Sequence, residues 1–247
     1  MTNWKYKLYL IVFVLHFFNS KAFSINFQPI EQTLTPSGMG ASYSFQLNND
    51  QKTDIAFETY AVSRGLTLNG EEIRNPTEHF VIFPKSGMVK PGETKAIRVT
   101  YNGPSNIKSE MPYRIILNQI PLKTDEKIED KAQIKYLMNF EASIYVTPEG
   151  VAPKIIVKSG KLIQNQLEVI LQNKGTAHKI LAKMEILLTL TSGETINILR
   201  ESLEPFDRFN LLPGTSLKMV FPPPKNLKAR GELKSLLKVQ FNDANKT

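Results

Sequence analysis

Apolar side chains occupy every second position of a long segment near the middle of the sequence. They are Ile134, Tyr136, Met138, Phe140, Ala142, Ile144 and Val146. This alternation predicts a β-strand with one apolar face, and at ~3.3 Å per residue the strand would extend about 40 Å. A typical strand is only ~17–20 Å long. A strand that exceeds its own sandwich can pair with a second protein and fill pockets in it, so the segment indicates a protein-binding element.

Side chains suited to catalysis are sparse. The chain has no cysteine, which excludes thiol chemistry and cysteine metal sites. His79 and His178 each stand alone, without the spacing of a metal site, and we expect both to be solvated. Acidic residues from Asp125 to Asp130 alternate with lysines, as in a solvent-facing loop. The sequence carries no nucleophile elbow and no phosphate-binding glycine loop, so we expect no enzyme, no metal and no cofactor.

The first 22 residues have the layout of a cleaved secretory signal peptide. Lys5 and Lys7 precede an apolar run from Leu8 to Phe18, and Ser20-Lys21-Ala22 provides small residues for cleavage. The run is shorter than the ~20 residues that span a bilayer. We therefore expect an exported mature chain that starts at Phe23 and is not embedded in the membrane.

The net charge and the composition limit the kinds of molecule that the protein is expected to bind. The formal charge is +8, and removal of the three lysines in the signal segment leaves +5. This modest excess assists encounters with acidic partners. No basic cluster interleaved with aromatic residues provides a stacking platform, so a nucleic-acid partner is not expected.

Short extended segments separated by turn residues fill residues 23–148. Pro29 confines the first of them to a sheet edge. Close spacing of turn signals predicts an all-β, immunoglobulin-like sandwich. The predicted strands are Ser24–Ile30, Ala41–Leu47, Ile55–Val62, Phe80–Phe83, Ala96–Tyr101, Tyr113–Ile120 and Ile134–Val146.

A Pro/Gly-rich break from Thr147 to Pro153 predicts a domain boundary. Residues 152–247 are again rich in β-type segments, which predicts a second, smaller sandwich. The spacing of apolar residues in Lys179–Leu190 is also compatible with a helix, but the flanking turns favour a strand or a strand pair. The other predicted strands are Lys154–Val157, Gln166–Gln172, Leu217–Phe221 and Leu236–Phe241.

Several motifs together resemble a known family. They are FVIFP at 80–84, IRVTY at 97–101, EMPYRIILNQIP at 110–121 and the long alternating strand after a charged loop. In this order they are similar to the PapD-like periplasmic chaperones of chaperone–usher pili. The FxIFP and PYRI motifs are most similar to those of the archaic branch of that family. The LNN at 47–49 and VILQNKGTAHKIL at 169–181 are similar to the openings of the two domains of that family. The resemblance implies two immunoglobulin-like sandwiches set at an angle, with a cleft between them.

The resemblance also implies how the long strand is used. In such proteins the last strand of the first domain is lent to a pilus subunit that lacks one strand, by strand addition. The corresponding inserted residues here are Ile134, Tyr136 and Met138, and Phe140 marks the end of the overhang. Ala142, Ile144 and Val146 are expected to line the core of the protein itself. The charged segment Lys123–Lys131 would keep the loop before the strand solvated until a subunit arrives.

The sequence departs from the family where a subunit carboxylate is usually held. Residues 24–30 contain no basic residue, Ser143 takes the usual basic position of the long strand, and Thr147 replaces an arginine before the interdomain proline. Arg98 and Arg114 are the substitute candidates, since a guanidinium can hold a carboxylate with two hydrogen bonds. A purely structural role for either arginine is an equal alternative.

The sequence thus predicts a periplasmic chaperone that binds pilus or fimbrial subunits by donating an edge strand and delivers them to an outer-membrane usher. The alternative is an exported immunoglobulin-like surface protein, such as an adhesin or pilus component. An unpaired edge strand also invites a self-capping dimer.

Overall fold

The computed structural model describes residues 24–122, 136–163, 166–189, 195–222, 231–232 and 238–241. The predicted signal peptide, the charged loop Lys123–Lys131 and Ile134 lie outside these residues. Strands of residues 25–146 and strands of residues 155–241 form separate sheets. Among the described residues, no helix has the length and hydrophobicity to cross a membrane.

The first unit consists of two sheets that face each other. One has the strand order β1-β3-β8-β6, and the other β2-β10-β9-β4-β5, with β7 also paired to β4. This arrangement is an immunoglobulin-like sandwich. The strands are β1 (Ile25–Gln28), β2 (Glu31–Leu34), β3 (Ser42–Asn49), β4 (Ile55–Leu66), β5 (Glu72–Pro76), β6 (Phe80–Phe83), β7 (Ser86–Val89), β8 (Thr94–Tyr101), β9 (Met111–Ile120) and β10 (Asn139–Val146).

The core lies between these two sheets because their strands alternate apolar and polar residues. Phe45, Ile97, Ile115 and Ile144 are all completely buried. Burial of such large side chains is worth roughly 1.5–3 kcal/mol each. The prediction that Ala142, Ile144 and Val146 line this core is confirmed, since none of the three has any exposed surface.

The N-terminal segment, residues 25–34, divides between the two sheets. β1 pairs antiparallel with β3 at the edge of one sheet, and β2 pairs parallel with β10 in the other. Pro29 lies between the two strands, where a residue without an amide proton costs no ladder hydrogen bond. The N-terminal segment therefore connects both layers of the sandwich.

The second unit has its own core, with Leu171, Met184, Leu211 and Met219 completely buried. Its largest described sheet has the order β17-β12-β11-β18. The chain is therefore all-β with two sandwich units, as predicted; the limits 23–148 and 152–247 stay a prediction. The strands are β11 (Ile155–Ile163), β12 (Gln166–Asn173), β13 (Lys179–Ile180), β14 (Met184–Thr189), β15 (Thr195–Asn197), β16 (Asn210–Leu211), β17 (Ser216–Phe221), β18 (Gly231–Glu232) and β19 (Lys238–Phe241).

Some predicted elements need correction. β2, β5 and β7 were missed because each has only four or five residues and at most two large apolar ones among them, whereas the equally short β6 is entirely apolar. The single-turn helix α1 (Arg200–Leu203) was missed for the same reason. The segment around Lys179–Leu190 forms the strands β13 and β14, which confirms the strand-pair interpretation over the helix.

The expectation for the two histidines is wrong. His79 is half-buried, and its Nδ1 lies 2.8 Å from the hydroxyl of Tyr113. His178 is also half-buried, and its Nδ1 lies 2.7 Å from Glu110 Oε1. Each imidazole has a polar partner that holds it in a packed environment, which the sequence spacing could not indicate.

Candidate functional site

The apolar face of β10 passes from the core of the sandwich into solvent. Ala142 is completely buried, Phe140 and Met138 are partly buried against the core, and Tyr136 is 79% exposed. The ring of Phe140 packs against Phe27, with ring centroids 6.5 Å apart. Phe140 and Ala142 share one face of β10 because their spacing is two, and Met138 packs against the same core, so the apolar surface continues past the start of the strand.

The strand itself is shorter than predicted. β10 begins at Asn139, whereas the alternation predicted a strand from Ile134. Tyr136, Leu137 and Met138 precede the strand. Met138 O nevertheless accepts a 2.9 Å hydrogen bond from Gln119 N. The difference has a physical reason: the ladder with β9 runs only from Asn139 to Val146, and an extended segment with no neighbour leaves its backbone groups to water.

One edge of β10 is open over its first half. β9 pairs with the whole of β10, but β2 pairs only with Ser143–Val146 on the other side. The parallel pairing begins where Ser143 N donates to Ile30 O at 2.9 Å. Within the described part of the chain, Asn139–Ala142 therefore has no strand on that side. Backbone groups along such an edge can pair with an added strand.

Arg114 belongs to a compact charged group on the outer face of this sheet, on the β9 side of β10, which we term the arginine cluster: Arg64, Arg74, Arg114, Glu72 and Glu141. Arg114 Nη2 lies 2.8 Å from Glu72 Oε2. Arg74 Nε lies 2.7 Å from Glu72 Oε1, and Arg64 Nε lies 2.6 Å from Glu72 Oε2 without the alignment of a hydrogen bond. Arg74 also donates two hydrogen bonds, of 2.7 and 2.6 Å, to Glu141 on β10.

The electrostatics of the cluster follow from this packing. Burial opposes ionisation of Glu72, but hydrogen bonding from Arg114 and the charges of Arg64 and Arg114 prevail and lower its pKa to about 2. The hydrogen bonds to Glu141 raise the pKa of Arg74. With three guanidinium groups and two carboxylates, the cluster retains one positive charge, which favours an additional anion.

The cluster is connected directly to the open strand. Arg114 Nη1 donates a 2.6 Å hydrogen bond to Ser143 Oγ, so Ser143 on β10 is bound directly to an arginine of the cluster. Ser143 is only 7% exposed. The guanidinium of Arg114 therefore lies where the open half of β10 ends.

Arg98 lies elsewhere. Its neighbours Ile97 and Val99 point into the core, so Arg98 faces outward from the β1-β3-β8-β6 sheet, where its Nε donates to Ser42 Oγ at 3.0 Å. Arg114 faces outward from the other sheet. The two candidate anchors are consequently on opposite faces of a sandwich about 10 Å thick and cannot act as one site.

The cluster also reaches the second unit. Arg64 Nη1 donates to the hydroxyl of Tyr145 at 3.2 Å, and Asn210 Nδ2 donates to the same hydroxyl at 2.5 Å. The ring of Tyr145 stacks on His178, with centroids 4.0 Å apart. His178 in turn contacts Glu110, which is buried and also accepts a hydrogen bond from Thr147. Tyr145 thus lies between the arginine cluster and the second sandwich.

Sequence reasoning missed Arg64, Glu72 and Arg74. One signal could have found them: Asn69-Gly70 indicates a hairpin, and a three-residue loop of Leu68, Asn69 and Gly70 places Arg64 opposite Arg74, as observed. Nothing in the sequence, however, indicates that β9 supplies the third guanidinium. Within the described ranges, no three His, Cys, Asp or Glu side chains come together as metal ligands would.

Comparisons with known proteins agree with this fold. Residues 30–152 match the profile of the pili and flagellar-assembly chaperones, PapD N-terminal domain. No curated protein sequence matches the chain.

Three solved structures show the same fold at low identity, each with a TM-score of 0.56. One is the chaperone–tip adhesin complex of CFA/I fimbriae, at 17% identity over 88% of this chain and 98% of that chain. Another is the CsuC–CsuE chaperone–tip adhesion subunit complex from archaic Csu pili of Acinetobacter baumannii, at 16% identity over 87% and 97%. The third is the class 5 fimbriae chaperone CfaA, at 16% identity over 88% and 99%.

The matched profile covers the sandwich that carries the open strand and the arginine cluster, and the two-unit architecture extends the likeness over most of the chain. This protein belongs to the PapD-like family of pilus-assembly chaperones.

Proposed function

We propose that the protein is a periplasmic chaperone that binds pilus or fimbrial subunits by lending them the open half of β10 and the segment before it. The observation that supports this most strongly is the run of apolar side chains from buried Ala142, through the partly buried Phe140 and Met138, to Tyr136, which is 79% exposed. A protein that kept this strand for itself would have no reason to continue its core surface into solvent.

The donated residues are Ile134, Tyr136, Met138 and Phe140. In a subunit whose sandwich lacks one strand, these side chains would fill the pockets of the missing strand, while the backbone of 134–142 completes the ladder. Each large side chain that becomes buried contributes roughly 1.5–3 kcal/mol. Met138 and Phe140 already rest against the core of the protein, so Ile134 and Tyr136 would gain most from the subunit.

The subunit would be anchored by its C-terminal carboxylate at Arg114. A strand added along the open edge ends near Ser143, which the guanidinium of Arg114 reaches from the β9 side across the outer face of the sheet, and a guanidinium can bind a carboxylate with two parallel hydrogen bonds. The cluster has one positive charge in excess, which compensates the added anion. Arg98 remains the second candidate, but its outward position on the other sheet gives it no role beside the open edge.

We further propose that the protein acts after its export to the periplasm. Residues 1–22 would direct export and be removed, and residues 23–148 and 152–247 would form the two domains in the periplasm. The loaded chaperone would then pass the subunit to an outer-membrane usher. This exchange needs no catalytic group, since a subunit strand can replace the donated strand by competition for the same ladder.

The test is co-expression of the protein with its cognate subunit. Ile134→Asp combined with Met138→Asp should abolish the yield of soluble subunit, because charges buried in a client groove cost several kcal/mol. Leu199→Asp combined with Val220→Asp is the matched control, since both side chains are exposed and lie in the second unit. Circular dichroism would verify that each variant is folded.

Two outcomes would contradict the proposal. An unchanged yield of soluble subunit with the first variant would remove the segment from the interface. A stable self-associated form of the purified protein, with no binding of the subunit, would instead favour the exported surface protein as the function.

A further inference from the structure

The hairpin of β4 and β5 ends against the second sandwich. Gly70 adopts a φ of 88° in its turn, which only glycine takes readily. An added Cβ there would lie 2.8 Å from Phe209 Cε2 and 3.1 Å from Leu217 Cδ1. Leu66 packs against the core of the second unit. The tip of the hairpin, residues 66–70, is therefore in close contact with the second sandwich.

The tip also joins that sandwich through the backbone. Lys218 N donates a 2.8 Å hydrogen bond to Leu68 O. Lys218 belongs to β17, which is an edge strand of its sheet as described, so its amide is free to bond outward. Side-chain packing and this hydrogen bond together fix the tip at one place on the second unit.

The stem of the same hairpin carries most of the arginine cluster. Arg64 pairs with Arg74, and Leu66, which touches the second core, pairs directly with Glu72. Glu72 is the carboxylate around which all three guanidinium groups gather. A displacement of the tip would consequently move Glu72, and the position of Arg114 would change with it.

The second unit holds the stem at another point as well. Asn210 donates to the Tyr145 hydroxyl, which also accepts from Arg64. Arg64 is thus restrained from two sides by contacts that begin in the second sandwich: through the hairpin to which it belongs and through Tyr145.

We infer that the second sandwich positions the arginine cluster for the carboxylate of a bound subunit, with Leu66 and Gly70 as the positioning residues. The inference rests on the proposed anchoring at Arg114. A bidentate hydrogen bond to a carboxylate requires a fixed plane of the guanidinium, and that plane is set by Glu72 and Ser143. A domain that need not touch the subunit would in this way control how firmly its C-terminus is held.

The experiment uses the full mature chain and two synthetic peptides. One is a strand-forming peptide of alternating valine and threonine with a free C-terminal carboxylate, and the other is its C-terminally amidated form. Binding of each is measured by calorimetry. The Nε–Hε NMR signal of Arg114, assigned with Arg114→Lys, reports the environment of the guanidinium without any peptide.

Three variants separate positioning from backbone strain. Gly70→Ala introduces a methyl group that collides with Phe209, and Leu66→Ala removes an apolar contact without strain. Gly38→Ala is the control, because Gly38 also has a positive φ, of 77°, but has nothing within 4 Å of an added Cβ.

We expect Gly70→Ala and Leu66→Ala to weaken binding of the carboxylate peptide by about fivefold or more, to leave the amidated peptide unchanged and to shift the Arg114 signal. Gly38→Ala should change none of these. Unchanged affinities together with an unmoved Arg114 signal in both hairpin variants would overturn the inference.

A different result would contradict the proposed anchoring of the carboxylate at Arg114. If the unmodified protein binds the two peptides equally, Arg114 is not the carboxylate site. The Arg114 signal then decides the inference alone: a shift in both hairpin variants supports positioning of the cluster by the second sandwich, and no shift overturns it.

Discussion

Asn49 and Asn173 make three equivalent side-chain hydrogen bonds in the two sandwiches, and Asn173 Oδ1 accepts one more from Lys154 N. Each side-chain oxygen accepts from the backbone amide two residues ahead, Gln51 and Gly175 respectively. Each Nδ2 donates to the carbonyl four residues ahead and to a distant one, that of Val89 or that of Leu211. Both side chains are completely buried. Each unit thus stabilises one of its loops through the side-chain hydrogen bonds of a buried asparagine.

Replacement of either asparagine should destabilise its own unit. Asn49→Ala and Asn173→Ala each leave buried backbone groups without partners, at a cost of about 1–3 kcal/mol for each group. Hydrogen exchange should show the loss of protection in the sandwich that carries the change and not in the other. Equal loss in both units would show instead that they unfold as one.

Glu72 should make the stability of the protein depend on pH in the acid range. Its pKa is lowered from 4.5 to about 2, so the unfolded state binds the proton more readily than the folded state. The stabilisation is then fully present above pH 4.5 and is lost as the pH falls towards 2. Urea titrations between these values should show a smaller pH dependence for Glu72→Gln than for the unmodified protein. A parallel decline of both proteins would contradict this assignment.

The two candidate anchors should differ in their response to a conservative change. Arg114→Lys retains the charge but loses the planar fork, and we expect binding of a subunit with a free C-terminal carboxylate to weaken roughly tenfold or more. Arg98→Lys, on the opposite face, should bind as the unmodified protein does. A loss confined to Arg98→Lys would transfer the anchor to the other sheet.

Tryptophan provides a report on both export and binding. Trp4 is the only tryptophan in the sequence, so protein cleaved after Ala22 should show no tryptophan fluorescence. In that background Tyr136→Trp introduces a single probe, whose emission should shift to shorter wavelength when a subunit covers the strand. Leu199→Trp, also highly exposed, should not respond. Residual tryptophan emission from the unmodified exported protein would refute cleavage.

The parts of the fold that follow from periodicity could be predicted from the sequence. Alternation identified the inward-facing Ala142, Ile144 and Val146, and turn residues separated the strands around them. Alternation is a property of one strand, however, and gives no information on which outward-facing side chains of different strands come together. The meeting of Arg64, Glu72 and Arg114 depends on the order β9-β4-β5 within the sheet, which no local pattern encodes.

The start of β10 shows a second limit of the sequence. The apolar pattern continues to Ile134, but the described strand begins at Asn139, because a strand needs a neighbour as well as a pattern. For a donated strand, that neighbour would come from another protein.

The division of the N-terminal segment between β1 and β2 affects the order in which the sandwich can form. Glu31 pairs with Ser143, a contact between residues on the order of a hundred positions apart, and such contacts form slowly because a long loop must close first. Whether the chain leaves a ribosome or a membrane channel, its N-terminus emerges long before β10 does. β2 must then wait without its partner, and the first sandwich can be completed only when nearly all of that domain has emerged.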